Sequence, residues 1–265
     1  MQNPQIIVSD VQKVFRTQER DVVALKDINL TINQGEFVCL LGPSGCGKST
    51  LLNAIAGFSL PSSGSIRVDG QPVSAPGPER GMVFQEYALF PWMTVAQNVA
   101  FGLEVKGMSK AAIAERVDSL LDKLHLKDFR NRFPKDLSGG MRQRVAIARV
   151  LAMDSPIMLM DEPFGALDAL TRRNLQDELL RIWAEFGKTI IFVTHSIEES
   201  IYLADRIVVM TYRPGTVKRD HRVAIPRPRD PSCAEFNELK RELGSLVMEE
   251  QQRHAAAEMK LAAID

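Results

Sequence analysis

Five short apolar runs punctuate the chain, at residues 38–41, 82–84, 157–160, 190–193 and 207–210. None contains a charge, and such runs read as strands buried on both faces. Helical stretches fall between them. That alternation predicts an α/β core, a largely parallel sheet with helices on both sides. The first ~35 residues and residues 65–73 read instead as exposed-edge strands with turn signals. Residues 22–32 alternate imperfectly, and Asp69 with Gly70 is a hairpin-turn pair. Between about residues 94 and 153 the strand pattern stops. Residues 95–101, 110–124 and 138–153 look helical with no strand between them, which predicts a helical insertion in the core. Residues 213–229 carry six basic residues, one acidic residue and three prolines. Asp230 and Pro231 then read as the cap and first turn of a last helix. Phe236, Leu239, Leu243 and Leu246 form its apolar face.

Composition narrows the class. The chain has 265 residues, 45% hydrophobic and 25% charged, enough for a substantial core. Lys and Arg total 33, as do Asp and Glu, so the net charge is zero. That balance offers no case for nucleic acid as a partner. No apolar run approaches the ~18–20 residues of a membrane span. The first ten residues lack a basic segment followed by an apolar one, so no secretory signal is expected. Cys39, Cys46 and Cys233 show neither metal spacing nor even pairing, which suits a reducing compartment.

One segment carries chemistry on its own. Gly42, Pro43, Ser44, Gly45, Cys46, Gly47, Lys48 and Ser49 fit G-x-x-x-x-G-K-[ST] at every fixed position. About 1% of random chains of this length would match, so the flanks matter. An apolar strand at 37–41 precedes the motif, and a helical stretch beginning at Thr50 follows it. Glycines let the backbone wrap a phosphate chain with its N–H groups turned inward. The helix N-terminus adds partial positive charge. Lys48 supplies a point charge, and the Ser49 hydroxyl can ligate Mg²⁺. The loop alone predicts a bound nucleoside triphosphate.

A second segment, Leu137, Ser138, Gly139, Gly140, Met141, Arg142, Gln143 and Arg144, resembles the signature of the ABC-type ATPases. The remaining motifs follow in that family's order. The resemblance implies a P-loop NTPase (RecA-like) core, an antiparallel β subdomain and a helical subdomain carrying the signature. On this layout residues 1–225 form one ATPase domain, with the helical subdomain at about 90–155. Residues 226–265 form a C-terminal helical extension.

Asp161 and Glu162 end an apolar strand. Beside a phosphate loop, Asp161 can hold Mg²⁺, and Glu162 can take a proton from the attacking water. The resemblance makes Gln85 the Q-loop lever that touches Mg²⁺ and that water, and His195 the switch that hydrogen-bonds the γ-phosphate. It places Ala166, Leu167 and Asp168 in the D-loop, and stacks Phe15 on adenine, although an N-terminal aromatic also simply packs. Ser138, Gly139 and Gly140 begin a helix and make a second phosphate-binding device. Met141 and Gly165 depart from the family's usual Gln and Ser. Cys46, near Lys48 and a helix N-terminus, is expected to be a reactive thiol of lowered pKa.

Two phosphate devices roughly ninety residues apart can grip one γ-phosphate if two copies pack head-to-tail. The resemblance implies such a homodimer, closed by ATP and opened by hydrolysis. Residues 86–95 are rich in large apolar side chains, which either pack under the helical insertion or form a dock for an integral membrane permease, the reading that the resemblance supports. From Asp27 to Arg229 the chain is similar to the ATPases of nitrate, sulfonate/taurine and bicarbonate importers. Residues 76–81, 86–98, 137–149, 210–215 and 225–229 carry that similarity. It implies a peripheral subunit on the cytoplasmic face of the inner membrane, with a solute-binding protein as indirect partner. An exporter ATPase, or a soluble ABC ATPase without a permease, is the alternative.

Overall fold

The structure is a computed structural model that describes residues 4–16 and 21–262. In chain order the elements are β1 (Pro4–Arg16), β2 (Asp21–Asn33), β3 (Phe37–Leu41), α1 (Lys48–Ala56), β4 (Ser63–Val68), β5 (Gln71–Pro72) and β6 (Arg80–Val83). Next come α2 (Val95–Val105), α3 (Lys110–Lys123), α4 (Gly139–Ala152), β7 (Ile157–Asp161) and α5 (Ala169–Phe186). The chain ends with β8 (Thr189–Thr194), α6 (Ile197–Leu203), β9 (Arg206–Met210), β10 (Val217–Arg222) and α7 (Ala234–Ala262). The chain forms two compact units, Met1–Pro76 with Thr189–Asp265, and Gly77–Lys188.

In the first unit, β3 lies between β8 and β9, parallel to both, with Leu40 opposite Val193 and Val208. Every residue of β3 and β8 is buried. That is why these runs are apolar without alternation. β10 pairs antiparallel with β9. The sequence reading missed β10, because Lys218, Arg219, Asp220, His221 and Arg222 follow one another with no apolar period. A second sheet of order β2-β1-β4-β5 is antiparallel. Here β1 is not an edge strand, contrary to expectation. It pairs with both β2 and β4, and Ile6, Val8 and Val11 are buried. Register shifts along it, with Asp10 at φ 49°, break the period-two pattern that would have revealed this. Asp69 and Gly70, both at positive φ, make the expected hairpin turn.

Two arginines fasten the end of α6. Arg229, buried, donates to the carbonyls of Ile201 and Ala204, each at 2.6 Å. Arg227 pairs with Asp205 and donates to the Leu203 carbonyl. Cations at orphan helix carbonyls are favourable. Burial pushes the Arg229 guanidinium down to about 10, and neighbouring Arg227 adds to the shift. The last helix begins at Ala234, not at Pro231. Asp230 instead accepts the Ser232 N–H at 2.8 Å in a turn before the helix. Its apolar face also differs by one position, with Phe236, Leu239, Leu243 and Val247 buried and Leu246 half-buried.

In the second unit β6 and β7 are parallel, with Met82 opposite Leu159. Helices α2, α3 and α4 begin where expected. Thr94 and Gln97 form a capping box at α2, and Ser109 and Ser138 cap α3 and α4. No helix among the described residues is long and apolar enough to cross a membrane.

Candidate nucleotide site

The phosphate loop lies in the first unit, between β3 and α1. Gly47 caps α1 at φ +97°, and a Cβ there would sit 2.7 Å from Leu25 Cδ2 and 3.1 Å from the Ala24 carbonyl. Only glycine meets both demands. Lys48 is 4% exposed. Its Nζ donates to the carbonyls of Gly42 and Pro43, both at 2.9 Å, so the loop encloses a full positive charge. Ser44, Gly45 and Ser49 are exposed, and Thr50 is half-buried in the first turn of α1. Cys46 overturns its sequence reading. It is 0% exposed, and burial pushes its thiol up despite the opposing pull of Lys48. It packs as a buried thiol, with desolvation of the thiolate outweighing the nearby charge.

His195 is exposed one residue beyond β8. The turn under it is fixed. Thr194 Oγ1 accepts the Ser196 N–H at 2.9 Å and donates to Glu199 Oε2 at 2.5 Å, and Ser196 caps α6. Phe15, near the end of β1, is 43% exposed with Lys13 Nζ 5.3 Å from its ring.

The second unit carries the acids, Gln85 and the signature. Asp161 ends β7, and Glu162 follows at φ 42°, a backbone region that non-glycine residues rarely adopt. The structure brings Glu162 and Gln85 to one glycine. A Cβ built on Gly165 would lie 3.9 Å from both Gln85 Nε2 and Glu162 Oε2. These are ordinary contact distances, so the space at Gly165 would also take the Cβ of the usual Ser. Ser138 accepts the Met141 N–H at 3.3 Å, which leaves Gly139 and Gly140 as the first turn of α4. Beside Gly139 lie Leu167 and the Tyr87 hydroxyl. Asp168 caps α5, and the Thr171 N–H holds its carboxyl below the ordinary range.

A family model described as ABC transporter matches residues 25–165. The chain belongs to the ABC transporter family. It is 48% identical over 235 residues to the nitrate import ATP-binding protein NrtD of Synechocystis, covering 89% of this chain and 88% of that one. It is 50% identical over 220 residues to the taurine import ATP-binding protein TauB of Jannaschia, covering 83% and 81%. Among solved structures it resembles the dimeric ATP-binding cassette MJ0796 bound to ADP and Pi. That match has a TM-score of 0.74 and 35% identity, covering 83% of this chain and 100% of that one. This is therefore an ATP-binding, ATP-hydrolysing transporter subunit with the ABC ATPase fold.

The ATPase holds its 87–93 segment with residues to which the sequence reading gave no such role. Tyr87 and Ala88 both have positive φ, 63° and 46°. Arg149 of α4 donates to both their carbonyls, at 3.4 Å and 2.7 Å, and its guanidinium stacks 5.6 Å from the Phe90 ring. Arg142 lies 5.3 Å from the Tyr87 ring. Buried Asn98 accepts the Phe90 N–H and donates to the carbonyls of Phe90, Met93 and Thr94. Phe90 packs on Phe101 at 4.6 Å, while Trp92 remains 71% exposed. The apolar segment is thus partly core and partly surface. Two arginines seven apart lie on one helix face, and that spacing was the available signal for Arg142 and Arg149.

Proposed function

We propose that this ATPase powers import of a small anion such as nitrate, a sulfonate like taurine, or bicarbonate. The observation that carries the reading is the identity of about half to both NrtD and TauB over most of the chain. Residues 1–225 serve as the ATPase domain and 226–265 as its extension. The enzyme works as a homodimer on an integral membrane permease, at the cytoplasmic face of the inner membrane, with a solute-binding protein delivering the anion. The dimeric MJ0796 cassette supports the two-copy arrangement.

In this reading Phe15 stacks on adenine, and residues 42–50 wrap the phosphates with Lys48 as their counter-charge. Ser49, Asp161 and Gln85 offer hydroxyl, carboxylate and amide oxygens. That hard-oxygen set suits Mg²⁺, which usually binds few protein groups and completes its shell with phosphate and water. When bound, Mg²⁺ would neutralise charge on the phosphates. Glu162 takes the proton of the attacking water, and Gln85, at the same glycine, orients that water. His195 hydrogen-bonds the γ-phosphate. Ser138, Gly139 and Gly140 bind the γ-phosphate on the partner copy through a helix N-terminus.

Deleting the gene should abolish uptake of one anion and spare others, and expression of Lys48→Ala should fail to restore it. Normal uptake of nitrate, taurine, other sulfonates and bicarbonate would refute the importer reading. Loss of efflux instead would favour an exporter, and co-sedimentation with ribosomes a soluble ATPase.

A further inference from the structure

Inside the first unit, a chain of contacts joins the last helix to the phosphate loop. Glu250 on α7 is 0% exposed. Its Oε2 accepts the Tyr212 N–H at 2.9 Å. Its Oε1 accepts from Lys218 Nζ at 2.8 Å and Arg253 Nη1 at 3.1 Å. Burial alone would raise the Glu250 pKa, but the hydrogen bonds from Lys218 and Tyr212 outweigh it and hold the carboxyl below its ordinary range. A buried carboxylate persists where such partners match its lone pairs. Glu250 therefore fastens the Tyr212 backbone to α7. One turn further along α7, the His254 ring meets the Tyr212 ring edge-on at 4.0 Å.

From Tyr212 the chain reaches the phosphate loop within one residue. Arg213 Nε donates to the Gly45 carbonyl at 3.2 Å. The 211–216 turn is closed on itself, with the Thr216 N–H donating to Thr211 Oγ1 at 2.9 Å and the Thr211 N–H to the Thr216 carbonyl at 3.0 Å. On its far side the Gly215 N–H donates to the Ala24 carbonyl at 2.9 Å. A Cβ on Gly215 would lie 2.2 Å from the Cys46 carbonyl oxygen. At Gly215 turn and phosphate loop thus meet backbone to backbone, so a shift of the turn there is passed directly to the loop.

We propose that α7 sets the geometry of the phosphate loop, with Glu250 as a positioning residue that acts through Tyr212 and Arg213 on Gly45. The proposal rests on residues 42–49 being the nucleotide site. The docked helix then raises affinity for ATP without touching the reacting atoms, and whatever lifts the helix lowers that affinity.

The test uses the full-length protein with Glu250→Ala, Arg213→Ala and the double variant. ATP and ADP affinities, KM, kcat and melting temperature are measured for each. Each single change should weaken nucleotide affinity and raise KM about three- to tenfold, with kcat within about twofold of wild type. The double variant should go no further than the worse single, because both break one linkage. If Glu250→Ala lowers only the melting temperature and leaves affinity and KM intact, its role is structural and the proposal falls. Additive effects would also overturn it. If Glu250→Ala does not fold, Arg213→Ala at the surface decides alone, and wild-type affinity there refutes the linkage. Wild-type protein that fails to bind ATP would overturn the nucleotide-site reading as well. Normal wild-type binding with indifferent variants overturns the linkage alone.

Discussion

Around the phosphate loop, main chain meets main chain. Gly47 sits beneath the Ala24 carbonyl, Gly215 presses on the Cys46 carbonyl, and Lys48 ties the loop's own carbonyls together. The segment after Gln85, in the other unit, is held by side chains. Arg149 and Asn98 grip its carbonyls, and Phe90 packs on Phe101. A backbone-packed loop has few soft torsions of its own to spend, so its shape follows the main chain packed against it. A loop latched by an arginine can be released by rotating a few side-chain bonds. Tyr87 and Ala88, both left-handed, add strain that release would relieve. The difference suits the proposed roles, a fixed grip on phosphate and a movable arm toward a permease.

The largest expected effect on binding tests the fixed loop. Lys48→Ala removes the buried charge, and loss of charge-assisted bonds of about 2–3 kcal/mol should weaken ATP binding roughly 30- to 150-fold. Titration calorimetry would show it, and near-normal affinity would remove Lys48 from the phosphate role. Arg149→Ala tests the latch. Freeing two carbonyls should cost about 1–2 kcal/mol of stability, measured by denaturant midpoint, and should raise hydrogen exchange at residues 86–93 selectively. Exchange unchanged there would mean that Phe90 packing alone holds the segment. Trp92→Ala should be the mildest, within about 0.5 kcal/mol of wild-type stability because the ring is exposed. Its effect should appear only in permease-coupled transport. A large stability loss would show Trp92 to be core rather than dock.

Much of this was legible in the chain because the chemistry demanded fixed residue types at fixed spacing. The phosphate loop, the acid pair at the end of β7 and the cap at Ser138 all stand where the motifs placed them. What escaped depends on burial and on partners distant in sequence. Nothing local marks Cys46 as fully buried, so charge proximity suggested the wrong reactivity; thiol reagents should reach half-buried Cys233 before it. β10 is hidden by its charges, and the inner position of β1 by its register shifts. The tie from Glu250 to Tyr212 spans 38 positions, which no periodicity can reveal. The choice of Leu246 over Val247 failed because a helix face read from a few leucines is uncertain by one position.

The central claim is that two copies of this chain close on ATP and that Glu162 opens them by starting hydrolysis. Glu162→Gln tests it most directly. Sedimentation of the purified variant with ATP should reveal a stable dimer that ADP does not support, and turnover should fall about 10²–10⁴-fold. A variant that stays monomeric with ATP, or hydrolyses it at the wild-type rate, would contradict the account.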